Sequence, residues 1–175
     1  MKTGAGWLML TLLLGAGRAQ ADGIAAAGDV LQYVLPVTAA GVTLSHEDWE
    51  GTLRFAGAFA AQGLTVLTLK NTIYENRPDN VGHDSFPSGH AAVTFASAEF
   101  LRERYGWTYG APAYALAAFT GYSRVESEHH YWHDVGAGAG IGILSSWLFT
   151  HQGGRWTVAP STDGKTFGLT FNRVW

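Results

Sequence analysis

Lys70-Asn-Thr-Ile-Tyr-Glu-Asn-Arg77-Pro78, Pro87-Ser88-Gly89-His90 and Ser123-Arg124-Val-Glu-Ser-Glu-His129-His130-Tyr-Trp-His133-Asp134 are the three clusters around which the chain is organised. Each brings a group suited to a phosphate. Lys70, Arg77 and Arg124 can neutralise an oxyanion, and Gly89 lets the backbone N–H groups of a helix start approach one. His90 and His130 can share nucleophilic and acid–base work. His130 and Asp134 are four apart at an expected helix start, so they share a face, and a carboxylate on one imidazole nitrogen leaves the other free to attack. Lys70 and Arg77, seven apart on one expected helix, return to the same side after two turns. Arg124, six before His130, has to be swung inward by the turn over 126–129.

The chain outward from these clusters reads as one all-α domain, a bundle of five to six helices with a C-terminal β-hairpin tail. Residues 1–21 have the pattern of a secretory signal: Lys2, a short apolar core from Trp7 to Leu14, and Ala19-Gln20-Ala21 as cleavage site. The alternative is an uncleaved first helix, which would bring the helix count to six. Residues 22–152 form the helical domain. A helix is expected from Gly23 to Thr43, kinked or ended by Pro36, and a second is capped by Ser45 and runs to Arg77, where Pro78 stops it. A third starts after Ser88 and spans His90–Tyr105. Gly106 to Pro112 reads as a break, followed by helices over Ala113–Arg124 and His130–His151. The Gly136-Ala-Gly-Ala-Gly140 stretch in the last helix permits very close helix contact. Residues 153–175 alternate apolar and polar around Pro160-Ser-Thr-Asp-Gly164, a hairpin pattern.

Composition narrows the function. Charged residues make up 14% of the chain, well under the usual quarter, and mean hydropathy is +0.03, so contact with a membrane surface or bilayer is compatible. No apolar run reaches spanning length without a charge. Without residues 1–21 the net charge moves from −3 to −5, and three of the nine remaining cations lie in the clusters above. That distribution suits one local anion and excludes the broad basic face of a nucleic-acid binder. The lack of cysteine removes disulfides and thiolate chemistry. His129 and His133, also four apart, form a weaker metal pattern without a third ligand at defined spacing. No oligomeric state follows from the sequence.

Taken together, Lys70-x6-Arg77-Pro78, Pro87-Ser88-Gly89-His90 and Ser123-Arg124-x5-His130-x3-Asp134 resemble the signature of the type-2 phosphatidic acid phosphatase and vanadium haloperoxidase superfamily. All three motifs match without substitution, in order, and the resemblance covers Lys70 to about Thr150. It implies a helical bundle that hydrolyses a phosphate monoester or diphosphate, with a lipid ester expected, through a phosphohistidine and without metal or other cofactor. Carried across, His130 is the nucleophile, Asp134 orients it, and His90 protonates the leaving alcohol and then helps activate water. Lys70, Arg77, Ser88, Gly89 and Arg124 hold the phosphoryl oxygens. The expected location is the periplasm or cell envelope. A vanadate-dependent haloperoxidase and a silent phosphate- or lipid-binding envelope protein are the alternatives.

Overall fold

The structure, a computed structural model, describes the backbone of residues 4–151, 155–162 and 167–174, and the side chains of residues 22–151 and Thr170. Among the described residues five helices make up the domain: α1 (Gly4–Ser45), α2 (Trp49–Thr72), α3 (Gly89–Tyr105), α4 (Trp107–Glu126) and α5 (Trp132–Thr150). The helical bundle expected from the sequence is therefore present, with five members. The hairpin expectation falls largely outside the described residues. Two antiparallel segments, β1 (Arg155–Thr162) and β2 (Phe167–Val174), are described there, by backbone alone except at Thr170.

Helix α3 lies at the centre and packs against each of the other four. Its sequence explains this position. Ala91, Ala92, Ala96, Ala98, Phe100 and Leu101 are all buried, so small side chains let neighbours close in from several directions. Phe100 is the largest fully buried side chain among the described residues, tilted against Phe55 of α2 with ring centroids 4.7 Å apart. Leu35 and Ala39 of α1 and Ala113 and Ala117 of α4 complete this core.

Helix α5 meets α3 through one row of small residues spaced by four. A Cβ at Gly138 would fall 2.3 Å from Ser88 O, and one at Gly142 would fall 2.3 Å from Ala92 O. One turn further on, Ser146 Oγ donates to Ala96 O at 2.6 Å. The small-residue stretch thus brings α5 close to α3, as its composition indicates. The contact uses Gly138 but neither Gly136 nor Gly140, which have open space at Cβ.

Five features of the helices differ from the sequence expectation. Helix α1 runs through Pro36 without ending. Burial of Leu35, Ala39 and Thr43 against the core offsets the one backbone bond that proline forfeits. Ser45 belongs to the last turn of α1, and the cap of α2 is Asp48, whose side chain accepts from Gly51 N at 2.8 Å. Arg104 and Tyr105 at the end of α3 bind the same carboxylate, which fastens the α1–α2 turn to the central helix. The break before α4 is Gly106 alone, at φ +84°, and Pro112 sits inside the helix. Helix α2 ends at Thr72 rather than Arg77, so Arg77 lies on the following loop. Helix α5 starts at Trp132, which leaves His130 just ahead of it.

Among the described residues, α1 over Asp22–Ser45 is long and apolar enough to cross a membrane by length and composition. The stretch contains Asp22 and Asp29 as its only charges, which is why a search for uncharged runs passes over it. Large apolar side chains face outward from several helices, among them Tyr33 and Val37 on α1, Leu64 and Leu67 on α2, and Leu144 and Leu148 on α5.

Candidate active site

The three sequence clusters meet at one end of the bundle. A cavity of about 360 Å³ is lined there by Asp29, Lys70, Arg77, Asp84, Gly89, His90, Arg124, His129 and His130. Among the described residues every helix except α5 supplies a wall, and α5 supplies the group immediately behind one. Six of the eight residues singled out from the sequence line the cavity. The other two, Ser88 and Asp134, are fully buried behind it.

Lys70 stands in the last turn of α2. Arg77 reaches the same wall by a different route from the expected helix face. The loop after Thr72 doubles back: Glu75 N donates to His83 O at 3.1 Å, Ser85 N to Glu75 O at 3.0 Å, and Arg77 N to Gly82 O at 3.4 Å. Gly82, at φ +99°, makes the turn with little steric cost. Asp84 is thereby placed between the two cations. Arg77 holds its carboxylate by a fork, Nε to Oδ1 at 3.1 Å and Nη2 to Oδ2 at 3.2 Å, while Lys70 Nζ donates to the Asp84 carbonyl.

On the opposite wall Ser88 caps α3, accepting from Ala91 N at 3.5 Å, and its own N–H donates to Asp134 O at 3.0 Å. Ser88 is thus occupied as a cap and as a link to α5, and Gly89 and His90 form the wall itself. Arg124 is swung inward as the sequence requires. Its carbonyl accepts from both His129 N, at 3.0 Å, and His130 N, at 3.1 Å, so the turn after α4 wraps around it.

His130 is 4% exposed, with Nδ1 3.5 Å from both Asp134 Oδ2 and Ser85 Oγ. Asp134 is held from two further directions, by Ser85 Oγ at 2.6 Å and Tyr131 N at 2.8 Å, both donating to Oδ2. The contact expected between His130 and Asp134 therefore forms across a helix cap rather than along a helix face. Burial, followed by the charges of Lys70 and Arg77, lowers the pKa of His130 to about 4. The imidazole is neutral near pH 7, as a nucleophile must be, and Nε2 faces away from the Asp134 pair. Burial, and then Arg124, also hold His90 below the ordinary histidine value, against the opposing pull of Asp29.

The two histidines of the metal pattern do not converge. His129 lines the cavity and pairs with Ser127 Oγ at 2.7 Å. His133 turns to the far side of Asp134, bonding Glu75 Oε1 at 2.7 Å and lying 3.1 Å from Asp134 Oδ1 without hydrogen-bonding geometry.

Three residues of the site are not singled out by sequence reasoning: Ser85, Asp84 and Asp29. Ser85 and Asp84 precede the Pro87-Ser88 motif in a loop whose polarity disguises them. Asp29 had a clearer signal. A single carboxylate within an apolar helix faces a partner more often than it faces lipid. Its partners here are Arg124 Nη1 at 2.6 Å and His90 Nε2 at 3.0 Å, both on Oδ1.

A buried histidine backed by a carboxylate, beside a second histidine and three cations, is an arrangement suited to holding a phosphoryl group. Comparison with known proteins identifies the family. The PAP2 superfamily profile matches residues 51–157, and the chain belongs to that family, whose hydrolase chemistry it shares. Over 167 residues it is 32% identical to the lipid A 4'-phosphatase of Helicobacter pylori strain J99, an alignment covering 85% of this chain and 83% of the relative. A shorter match, 43% over 89 residues, joins it to the lipid A 1-phosphatase of Porphyromonas gingivalis, covering 49% of this chain and 20% of that one. Two crystal structures share the fold at 25% identity. One is LpxE of Aquifex aeolicus, with TM-score 0.55 over 69% of this chain and 84% of that one. The other is a transmembrane PAP2-type phosphatidylglycerolphosphate phosphatase from Bacillus subtilis, with TM-score 0.57 over 85% and 86%.

Proposed function

We propose that this chain hydrolyses a phosphate ester of an envelope lipid, without metal, through a phosphohistidine on His130. The observation that carries the reading is the convergence of Lys70, Arg77, Arg124, Gly89, His90 and His130 on one cavity, with Asp134 held behind His130. The phosphoryl oxygens would lie among the three cations and the first N–H groups of α3, which supply the charge stabilisation this reaction chiefly needs. His130 Nε2 attacks phosphorus, Asp134 supports the resulting imidazolium at Nδ1, and the departing alkoxide takes a proton from His90. His90, now neutral, draws a proton from water as that water attacks the phosphohistidine. Inorganic phosphate leaves and His130 is regenerated.

A lipid substrate is supported by the relatives, two of which are lipid A phosphatases, and by the apolar side chains exposed on α1, α2 and α5. The reading is tested by trapping. Wild-type protein quenched during turnover of radiolabelled substrate should carry acid-labile, base-stable label, and His130→Ala should carry none and turn over nothing. Label persisting on the variant would refute it.

The proposal also takes residues 1–21 as a removable export signal and residues 153–175 as a hairpin appended to the phosphatase domain. Protein recovered from the envelope fraction should begin at Asp22 by intact mass. A mass retaining residues 1–21 would favour an uncleaved first helix.

A further inference from the structure

Among the described residues Asp29 is the one cavity residue on α1, and it touches two different parts of the machinery at once. Its Oδ1 accepts from Arg124 Nη1 at 2.6 Å and lies 3.0 Å from His90 Nε2. Asp84, the other carboxylate at the cavity, sits among cations only. An ionised carboxylate has no proton to give, so the nitrogen facing it must carry one. His90 is therefore fixed as the Nε2–H tautomer when neutral. Its Nδ1, which has no protein partner among the described residues, is the atom that gains and loses the second proton.

The contact is built in rather than incidental. Arg124 is 2% exposed, and all three of its nitrogens are engaged: Nη1 by Asp29, Nη2 by Ala25 O and Nε by Ser123 Oγ. Asp29 is the carboxylate that neutralises this buried guanidinium, whose charge would otherwise stand uncompensated. Helix α1 can come this near because Gly28 has no side chain; a Cβ there would fall 2.0 Å from Ser123 Oγ. An Asp29 that merely filled a vacant phosphate seat would have to leave whenever substrate bound, and would strip Arg124 of its counter-charge each time.

We propose that Asp29 is a positioning residue for the leaving-group step, its bond to Nε2 orienting His90 so that Nδ1 delivers the proton, with Arg124 locked by the same oxygen. This inference rests on the reading of His90 as the acid. The site then holds two carboxylate–histidine pairs in different roles. Asp134 backs a histidine that must be neutral to attack, and Asp29 backs one that must be protonated to release the alcohol. Other charges face His90 as well: Lys70 from α2, Arg77 and Asp84 from the following loop, Arg124 from α4, and His129 and His130 from the turn before α5. Burial opposes the protonation of His90, and so does Arg124, foremost among the three cations. Asp29 is the carboxylate in direct contact with His90, and so the group that sustains the imidazolium.

The test compares an alkyl phosphate, whose alkoxide needs a proton, with nitrophenyl phosphate, whose phenolate does not. Asp29→Asn should lower kcat/KM for the alkyl ester by about 10- to 100-fold more than for the nitrophenyl ester, part of the 10²–10⁴ typical of general acid catalysis, while any loss common to both esters reports the missing counter-charge of Arg124. It should also move the alkaline limb of the pH profile to lower pH, since a carboxamide no longer favours the imidazolium. Asp29→Glu, which keeps the carboxylate, should restore both features and guards against a loss of folding. Equal losses for the two esters with an unmoved alkaline limb would reduce Asp29 to a clamp for Arg124. A lower KM with tighter inhibition by inorganic phosphate would make it a placeholder, and either result overturns the proposal. His90→Ala in the same assay separates the two claims. If that variant fails to discriminate between the esters, the reading of His90 falls; if it discriminates and Asp29→Asn does not, only the present inference falls.

Discussion

Gly138→Ala should cost both stability and turnover, and the structure sets the scale of each. The added methyl would fall 2.3 Å from Ser88 O and 3.2 Å from Ala91 Cβ, where ordinary contact begins at 3.4 Å. Neither neighbour can swing aside, since one is backbone and the other is in the first turn of the buried central helix, so α5 must retreat from α3 by about 1 Å. Overpacking of this kind costs about 1–3 kcal/mol, offset in part by the ~1 kcal/mol that alanine gains over glycine in a helix. Gly140→Ala supplies the reference. It carries the same propensity gain, two residues along the same helix, with nothing within 4 Å of the new methyl. The difference between the two variants therefore isolates the packing term and should be about 1–3 kcal/mol.

The functional cost follows from which atom is struck. Ser88 N bonds Asp134 O, so the displaced contact is the one that registers the His90 wall against the His130 wall. A misplacement of about 1 Å between catalytic groups can cost about 10²-fold in rate. Denaturant or thermal midpoints in detergent, together with kcat/KM on one phosphate ester, measure both effects. Gly138→Ala with wild-type turnover, or Gly140→Ala as damaging as Gly138→Ala, would refute the claim that this contact sets the site.

Two further outcomes are expected. Because the nucleophile must be neutral and His130 is held down to about 4, the acid limb of kcat/KM should fall near that value rather than near 6.5. The unfolded chain binds the additional proton between those two values, so stability due to this group is complete above about 6.5 and lost as pH drops through the window; an acid limb at 6.5 would remove the argument from burial. Chelator should leave activity unchanged while vanadate inhibits, because the cations are supplied by Lys70, Arg77 and Arg124; loss in chelator with recovery on adding a divalent ion would point instead to the Glu75, His133 and Asp134 cluster.

The sequence made the convergence legible but not the paths that produce it. Lys70 and Arg77 do share a wall, yet they reach it from a helix end and a returning loop, because the chain turns back at Ile73, five residues before the proline that was expected to stop the helix. Proline marks where a helix cannot continue. It does not mark where backbone pairing between Glu75 and Ser85 becomes the better alternative. Similarly, spacing of four predicts the proximity of His130 and Asp134 whether or not both residues are helical, since a capped first turn brings the same atoms together. Spacing rules survive these changes of local structure because they constrain separation, not secondary structure.

Asp29 shows what such rules leave out. It lies 61 residues before His90 and 95 before Arg124, in a helix that reads as simple apolar packing, and no periodicity within α1 connects it to either. The physical clue is cost. Burying Arg124 at 2% exposure requires a counter-charge, and the acids near Arg124 in sequence, Glu126 and Glu128, do not provide it. A carboxylate from elsewhere in the fold had to be found. Asp29 fits because it stands in an otherwise apolar segment, and its neighbour Gly28 lets that helix touch α4. A motif thus names the groups proposed to act on phosphorus. The groups that keep them charged, neutral or aimed are found by asking what each buried ion would cost alone.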